Sequence, residues 1–214
     1  KKELLPIVQK FDKNISDSYM GMSIERRLEQ SSQEKSPWNF FWVLRGGWQQ
    51  AYREFDSIQQ YPNANLILII VAVCQISSCD AGIDRSTLIE LCRKHSISDK
   101  NLEQTIERLR SLGLIVISDG IIRTKHISYA RKLITQCYSN KYYLSWTESV
   151  RVSVEIALTP DTSLKGIFWL LGAIDLTDAT RHKNNQLWVA LLNPLKKRCL
   201  EATNDREWAH TYDL

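Results

Sequence analysis

The chain has 214 residues, of which 43% are hydrophobic and 24% are charged, so it can close one large core or two smaller ones. Its 28 basic residues exceed its 24 acidic residues by four, and this mild charge permits acidic partners without requiring nucleic acid. The longest apolar run, Leu66 to Cys74, is far shorter than the about 20 residues that cross a bilayer, so we expect no membrane-spanning segment.

The cysteines are odd in number and scattered along the chain: Cys74, Cys79, Cys92, Cys137 and Cys199. A disulfide framework or a zinc site would show paired short spacings, and the one short gap lies in a mostly apolar run. We therefore predict reduced, mostly buried thiols in a cytoplasmic protein. The chain opens with KKELLPIV, which has neither a signal region nor an initiator methionine, so we expect it to be the interior of a longer polypeptide.

The sequence of residues 1–62 predicts a helical segment. Residues 1–35 are polar and helix-prone, and Ser36-Pro37 fit a helix start because a proline in the first turn gives up no needed hydrogen bond. The next stretch, WNFFWVLRGGWQQAYREF, spaces its apolar residues as one helical stripe. Gly46-Gly47 interrupts this stripe, so we expect a bend or a close backbone approach there.

From residue 63 onward, three elements in a row have helical signals. The run up to about Ser77 is apolar all round, which indicates a buried element. Its length favours a helix, although its β-branched content leaves a strand open. Asp84 can cap a second helix and Ser98 a third, which Gly113 would end.

A β-hairpin follows these helices. The stretch LIVISDGIIRTK places Asp119-Gly120 between two apolar runs, and both positions of such a turn favour positive φ. Three helices followed by a two-stranded hairpin predict a winged-helix domain over residues 63–134. The expected fold class is therefore mainly α, with a helical segment, a winged-helix domain that contains one β-hairpin, and a helical region after it.

Residues 135–214 predict that helical region, which could begin a solenoid. Apolar residues have helical spacing in three stretches, ISYARKLITQCYSNKYY, SLKGIFWLLGAIDL and NQLWVALLNPLKKRCLEA. Pro194 should kink the last of them. Residues 146–158, WTESVRVSVEIAL, fit both a strand and a helix. We predict a helix there because helical segments follow.

Winged helices commonly bind DNA through their third helix. In this chain that helix, SDKNLEQTIERLRSLG, carries three acidic and three basic residues, which cancel. Phosphate contacts supply most of the affinity for DNA, so a helix without net positive charge is expected to bind DNA weakly. Arg123 and Lys125 add positive charge to the wing, but Asp119 lies at its tip. We therefore expect a protein-packing module and no nucleic-acid partner.

The sequence contains no recognised catalytic or metal-binding motif. Its four histidines lie far apart, and G-x-S-x-G, H-E-x-x-H and C-x-x-C patterns are absent. It also lacks the G-x-x-x-x-G-K-[ST] phosphate loop, because no lysine follows Gly46-Gly47 at the required place. This stretch alone is therefore not expected to hold ATP, and its status as an enzyme stays open.

The layout as a whole resembles the middle of the STAND-class P-loop ATPases, the NACHT and NB-ARC relatives that include prokaryotic antiviral proteins. In order along the chain come a lid-like helical segment within residues 1–62 that contains SPWNFFWVLRGGW, a winged helix, the stretch RTKHISYARKL and further helices. The resemblance covers roughly residues 36–134. It implies an upstream P-loop domain of the same polypeptide that binds ATP or ADP with Mg²⁺ and makes the parent chain an ATPase. It also implies a homo-oligomer, a protein trigger and a role in signalling or antiviral defence.

In that family a histidine just after the wing contacts the β-phosphate of ADP and keeps the protein closed. His126 is its counterpart by position, Arg123 and Lys125 are candidate auxiliary cations, and Arg45 is the nearest match to an arginine of the lid that senses nucleotide. The sequence departs from the plant-style Met-His-Asp form, since Lys125 precedes the histidine and Ile127 follows it. The ordinary alternative for His126 is a helix-capping or half-buried residue at a strand–helix junction.

The resulting hypothesis is a regulatory piece of a STAND-like switch. Exchange of ADP for ATP would release the His126 contact and let the domains rotate into an oligomer. One rival hypothesis is a free-standing winged-helix regulator that binds nucleic acid and dimerises through its C-terminal helices. Another is a scaffold without any ligand.

Overall fold

The computed structural model describes residues 4–11, 15, 18–19, 22–58, 60–61, 63–94, 96–137 and 162–175. These residues are mainly helical with small antiparallel sheets, which confirms the predicted mainly α class. The chain divides into two compact units, residues 1–57 and 58–214, which are described separately below. This division does not test the predicted domain limits at residues 62 and 134.

Unit 1 is built from short helices and one strand pair. Its elements are α1 (Leu4–Phe11), β1 (Ser18–Tyr19), β2 (Met22–Ser23), α2 (Ile24–Ser31), α3 (Pro37–Leu44) and α4 (Gly47–Ile58), the last of which ends at the unit boundary. The antiparallel pair β1–β2 was not predicted, because two-residue strands are too short to give an alternating pattern. The core of the unit consists of Val8, Ile15, Ile24 and Leu44.

The start of α3 agrees with the sequence. The Ser36 hydroxyl accepts a hydrogen bond from the backbone N–H of Asn39 at 3.1 Å, and Pro37 occupies the first turn. The helix ends at Leu44, because the glycine pair that follows adopts positive φ values of 104° and 54°. The predicted interruption is therefore a break between two helices.

A buried arginine joins α2 to α3. Arg27 is only 2% exposed, and its Nη1 donates to the carbonyl of Leu44 in the last turn of α3. The Ser31 hydroxyl donates in turn to the carbonyl of Arg27. A cation at the end of a helix satisfies carbonyl groups that have no partner within the helix, so Arg27 contributes to holding the two helices together.

Unit 2 contains a helix–strand–helix–helix–hairpin sequence followed by further helices. Its described elements are α5 (Ala64–Ser77), β3 (Ile83–Asp84), α6 (Arg85–Lys94), α7 (Asp99–Ser111), β4 (Ile115–Ser118), β5 (Ile121–Thr124), α8 (Ile127–Cys137) and α9 (Leu164–Asp175). The sheet is antiparallel in the order β3-β5-β4. This arrangement is a winged helix, as predicted. The additional strand β3 pairs Ile83 with Ile122 and was not predicted, because it too has only two residues.

Positive φ values occur at the turns that the sequence marked. Asp119 and Gly120 have φ values of 52° and 78° and connect β4 to β5 as a two-residue hairpin turn. Gly113 has a φ of 67° and follows α7, and the N–H of the next residue, Leu114, bonds to the carbonyl of Leu109 at 3.0 Å. Both predictions are confirmed.

The two predicted helix caps have different outcomes. Asp84 precedes α6, and its carboxylate accepts from the N–H of Thr87 at 2.9 Å and from the hydroxyls of Ser86 and Thr87. These bonds lower the pKa of Asp84 to about 2. Ser98 occupies the N-cap position of α7, but its side chain makes no capping hydrogen bond.

The core of unit 2 is organised around α5. This helix is almost entirely buried, as predicted for residues 63–77, and α8 and α9 pack against it. Gly166 of α9 lies directly on the end of α5, since a Cβ there would be 1.7 Å from the carbonyl oxygen of Ser77. The helices predicted after His126 and in SLKGIFWLLGAIDL are confirmed over α8 and α9. The predictions for residues 146–158 and 185–202 lie outside the described residues.

Within the described part of the chain, no helix combines the length and the apolar character needed to cross a bilayer.

Candidate functional site

His126 lies between β5 and α8, where it caps the helix. Its carbonyl oxygen accepts from the N–H groups of Tyr129 at 2.9 Å and Ala130 at 3.1 Å. Its half-buried ring accepts as well, because the N–H of Ser128 donates to Nδ1 at 3.1 Å. The imidazole therefore satisfies one of the N–H groups that have no partner at a helix start.

The capping bond determines where the ring carries its proton. A ring nitrogen that accepts a hydrogen bond has no proton of its own, so the neutral imidazole is protonated on Nε2. Burial lowers the pKa of His126 below its ordinary value of 6.5, although the negative charge of Asp80 acts in the opposite direction. At neutral pH the ring is therefore uncharged, with Nε2–H as its donor.

A buried glutamine organises the residues around this junction. Gln75, which is 1% exposed, accepts through Oε1 from the N–H of Thr124 at 2.8 Å and from its hydroxyl at 2.7 Å. Its Nε2 donates to Asp80 at 2.7 Å. The Thr124 hydroxyl also lies 3.1 Å from the carbonyl oxygen of His126. We call these four residues, Gln75, Asp80, Thr124 and His126, the wing-base network.

The wing-base network joins the end of α5, the turn after it, β5 and the start of α8. Asp80 has a φ of 80°, and its N–H donates to the carbonyl of Gln75 at 2.8 Å, so this turn is held by backbone and side chain together. Sequence reasoning missed the network. Its only signal was a polar residue, Gln75, inside the apolar run LILIIVAVCQIS.

Of the predicted auxiliary cations, Lys125 lies next to the first turn of α8. Its Nζ is 4.3 Å from the ring centroid of Tyr129, which is 1% exposed. A cation over an aromatic face is stabilised and keeps its charge. Arg123 is exposed on the sheet, opposite Val116 in the β4–β5 register. Lys125 and His126 thus share one helix start, whereas Arg123 lies on an exposed strand position.

Arg45, the predicted nucleotide-sensing arginine, is the C-cap residue of α3. It is half-buried, and its N–H donates to the carbonyl of Phe41 at 3.0 Å. It belongs to unit 1, whereas the other three predicted residues belong to unit 2.

These residues fit part of a diphosphate site. The Nε2–H of His126 can donate to one phosphate oxygen, and Lys125 adds a cation at the same helix start. The carboxylate of Asp80 acts on the same ring and opposes an anion. The described residues could therefore supply one donor and one cation to a phosphate.

Among the described side chains of α7, two glutamates are paired with arginines. The guanidinium of Arg85 binds the carboxylate of Glu103 through two nitrogens, and Arg110 lies 3.7 Å from Glu107. These pairs leave little net charge on the helix that would enter a DNA groove.

Three cysteines whose side chains the structure describes are free thiols. Cys74 and Cys92 are buried and Cys79 is half-buried, and all three are unbridged, which confirms the prediction for them. Burial raises the pKa of the Cys74 thiol far above its ordinary value and that of Cys92 to about 12, so both are protonated at neutral pH. Within the described ranges, no three or more His, Cys, Asp or Glu side chains are grouped to hold a metal ion.

No protein-family model, curated protein or solved structure matches this chain. The resemblance to STAND ATPases therefore stays a prediction that depends on the order of elements and on the residues around His126.

Proposed function

We propose that this chain is the regulatory part of a STAND-like nucleotide switch. In this proposal the winged helix responds to a diphosphate held by an upstream domain, and His126 makes the contact. One observation carries the proposal: the residue that follows the wing caps α8 through Nδ1 and so keeps its proton on Nε2. Capping and phosphate contact are therefore compatible uses of the same ring.

The surroundings of the ring support an anion contact in two ways. The start of α8 carries the partial positive charge of a helix N-terminus, which favours anions. Lys125 contributes a full charge at the same turn. Because burial keeps the ring neutral, its donor strength would change little between pH 7 and 8.

The wing-base network gives this contact a mechanical consequence. His126 follows Thr124 by two residues, and the N–H and hydroxyl of Thr124 both donate to Gln75 of the buried helix α5. A force on the ring would therefore act on the winged helix as a body rather than on a loose loop. Bound nucleotide would supply phosphate oxygens that differ between the ADP and ATP states, and a difference of this kind is what shifts a conformational equilibrium.

The wider setting follows from the resemblance and belongs to the same proposal. An upstream P-loop domain would bind ATP or ADP with Mg²⁺, a protein trigger would favour exchange, and the exchanged form would assemble into a homo-oligomer. The process would take place in the cytoplasm, in signalling or antiviral defence.

Two substitutions of His126 separate capping from phosphate contact. Asparagine is a good N-cap residue, so His126→Asn should keep the cap while removing the Nε2 donor, whereas His126→Ala should remove both. Hydrogen bonds to charged groups contribute roughly 1.5–3 kcal/mol, so both variants should release ADP about tenfold faster or more. Only the alanine variant should also lose about 1 kcal/mol of stability.

The measurement is release of a fluorescent ADP analogue from the full-length parent protein loaded with Mg²⁺ and nucleotide. Thermal unfolding of the same preparations reports on the cap. If His126→Asn releases ADP at the rate of the unaltered protein, the phosphate contact does not exist and His126 is a capping residue alone.

A further inference from the structure

A second site lies on α7, away from the wing-base network. A cleft of about 320 Å³ is lined by Tyr61, Asn101, Gln104, Thr105 and Arg108. The four helical residues recur at a spacing of three and four, so they share one face of α7. Tyr61 comes from the segment before α5 and forms the other side. We call this feature the α7 cleft.

Among the described residues that line the α7 cleft, Arg108 alone carries a charge. Its guanidinium carbon lies 5.0 Å from the ring centroid of Tyr61, and this cation–π contact restricts the side chain. Among the residues that the structure describes, Arg108 makes no ion pair, while Glu103 and Glu107 of the same helix are bound by other arginines. The cleft therefore presents a positioned cation that has no carboxylate in this part of the chain.

The other lining residues are suited to a peptide. Asn101 and Gln104 are exposed, and each carries an amide with two donor hydrogens and one acceptor oxygen, which matches the N–H and C=O groups of a backbone. Thr105 is 6% exposed and forms the floor. The planar guanidinium of Arg108 can bind both oxygens of a carboxylate.

We propose that the α7 cleft binds a short acidic segment of a protein partner. One carboxylate of the segment would pair with Arg108, and its peptide groups would bind Asn101 and Gln104. The volume is at the lower end of the range of ligand pockets, roughly 300–1,000 Å³, and so suits a few residues.

Charge balance favours a peptide over nucleic acid as the occupant. Binding of a polyanion needs several cations, because each neutralised phosphate adds to the affinity. The basic residues Arg85 of α6 and Arg110 of α7 are already paired with glutamates of α7. A single cation with two amides is complementary to one carboxylate. This inference is independent of the proposed role of His126, and either can fail without the other.

The test is a titration of the ¹⁵N-labelled chain with two capped tripeptides, acetyl-Gly-Glu-Gly-amide and acetyl-Gly-Gln-Gly-amide, followed by NMR. The glutamate peptide should cause saturable shifts of the side-chain amide signals of Asn101 and Gln104. The glutamine peptide should bind at least about fivefold more weakly than the glutamate peptide, because a charge-assisted hydrogen bond is about twice as strong as a neutral one. Arg108→Gln should abolish this preference.

Two control variants make the result specific. Arg110→Gln removes an exposed arginine of the same helix that does not line the cleft, and Tyr61→Phe keeps the ring under Arg108; both should retain the preference. The backbone spectrum of Arg108→Gln shows directly whether the fold is kept, and Asn101→Ala provides a second variant that should weaken binding.

Several outcomes would overturn the proposal. Equal responses to the two tripeptides, shifts that grow linearly without saturation, or a loss of preference in Arg110→Gln would each show that Arg108 does not recognise a carboxylate. Inorganic phosphate and a DNA duplex are titrated in parallel. Tighter binding of phosphate or duplex than of the glutamate peptide, abolished by Arg108→Gln, would assign the cleft to phosphate groups instead.

Discussion

Replacement of Gln75 by leucine should lower the free energy of unfolding by about 2–3 kcal/mol, because it leaves a buried backbone donor without a partner. The two side chains are similar in volume, so little cavity is created. The Thr124 hydroxyl can turn to the carbonyl oxygen of His126, which lies 3.1 Å away, and the exposed Asp80 can turn to water. The N–H of Thr124 has no such alternative in the buried strand end, and its desolvation dominates the loss.

Urea denaturation followed by circular dichroism measures this effect through the midpoint at constant m-value. Gln104→Leu is the matched control, since it makes the same change at an exposed position and should stay within about 0.5 kcal/mol of the unaltered chain. Thr124→Val removes only the hydroxyl. In a double-mutant cycle with Gln75→Leu, the coupling energy should be about 1 kcal/mol or more, because the two residues share a hydrogen bond.

The outcome that would refute this reasoning is equally specific. If Gln75→Leu is as mild as Gln104→Leu, or if its effect and that of Thr124→Val add within about 0.5 kcal/mol, the wing-base network does not stabilise the junction. His126 would then be held by its own helix cap alone, and a force on its ring would not reach α5.

Two further substitutions test how the elements of unit 2 are held. Gly166→Ala should destabilise the protein by more than about 2 kcal/mol in a thermal unfolding assay, because its Cβ would lie 1.7 Å from the carbonyl oxygen of Ser77. The matched control is Gly172→Ala in the same helix, where a Cβ meets nothing within 4 Å. It should be neutral or slightly stabilising in the same assay. Asp84→Ala should cost about 1 kcal/mol in urea denaturation at pH 7 through loss of the α6 cap. The pKa of Asp84 is lowered from 3.8 to about 2, so its contribution to stability is present above pH 4 and is lost as the pH falls toward 2. Asp84→Asn should remove that part of the acid dependence. An unchanged acid transition in this variant would contradict the capping role.

The features that the sequence predicted are those set by neighbouring residues. A hairpin turn at Asp119-Gly120 needs positive φ at two adjacent positions, and few residues other than Gly, Asn and Asp adopt it readily. Gly113 after α7 also has positive φ, and Ser36-Pro37 before α3 supplies a capping hydroxyl and a proline in the first turn. Such signals act within a few residues, so they can be recognised without knowledge of the tertiary structure.

The features that escaped prediction depend on distant partners. The hydrogen bond from Thr124 to Gln75 joins residues 49 positions apart, and no local pattern marks it. Arg27 is polar in a polar stretch, yet it is buried because the end of α3 offers it a carbonyl group. Tyr61 and Arg108 likewise meet only after α7 has packed. Ser98 shows the opposite error, since a good local capping signal gives a helix start without the side-chain bond.

The proposed switch cannot depend on the His126 contact alone, and its energy shows why. A hydrogen bond from a neutral imidazole to a charged phosphate contributes roughly 1.5–3 kcal/mol, whereas moving a two-state equilibrium from 1:99 to 99:1 requires about 5.5 kcal/mol. The remainder has to come from other contacts that change in the same transition. Because the wing-base network ties His126 to α5 and to the sheet, a rotation that separates the ring from a phosphate would move every other contact of the winged helix as well. His126→Asn should therefore weaken the dependence of assembly on ADP without abolishing it, and a variant that also lacks Gln75 should weaken it further.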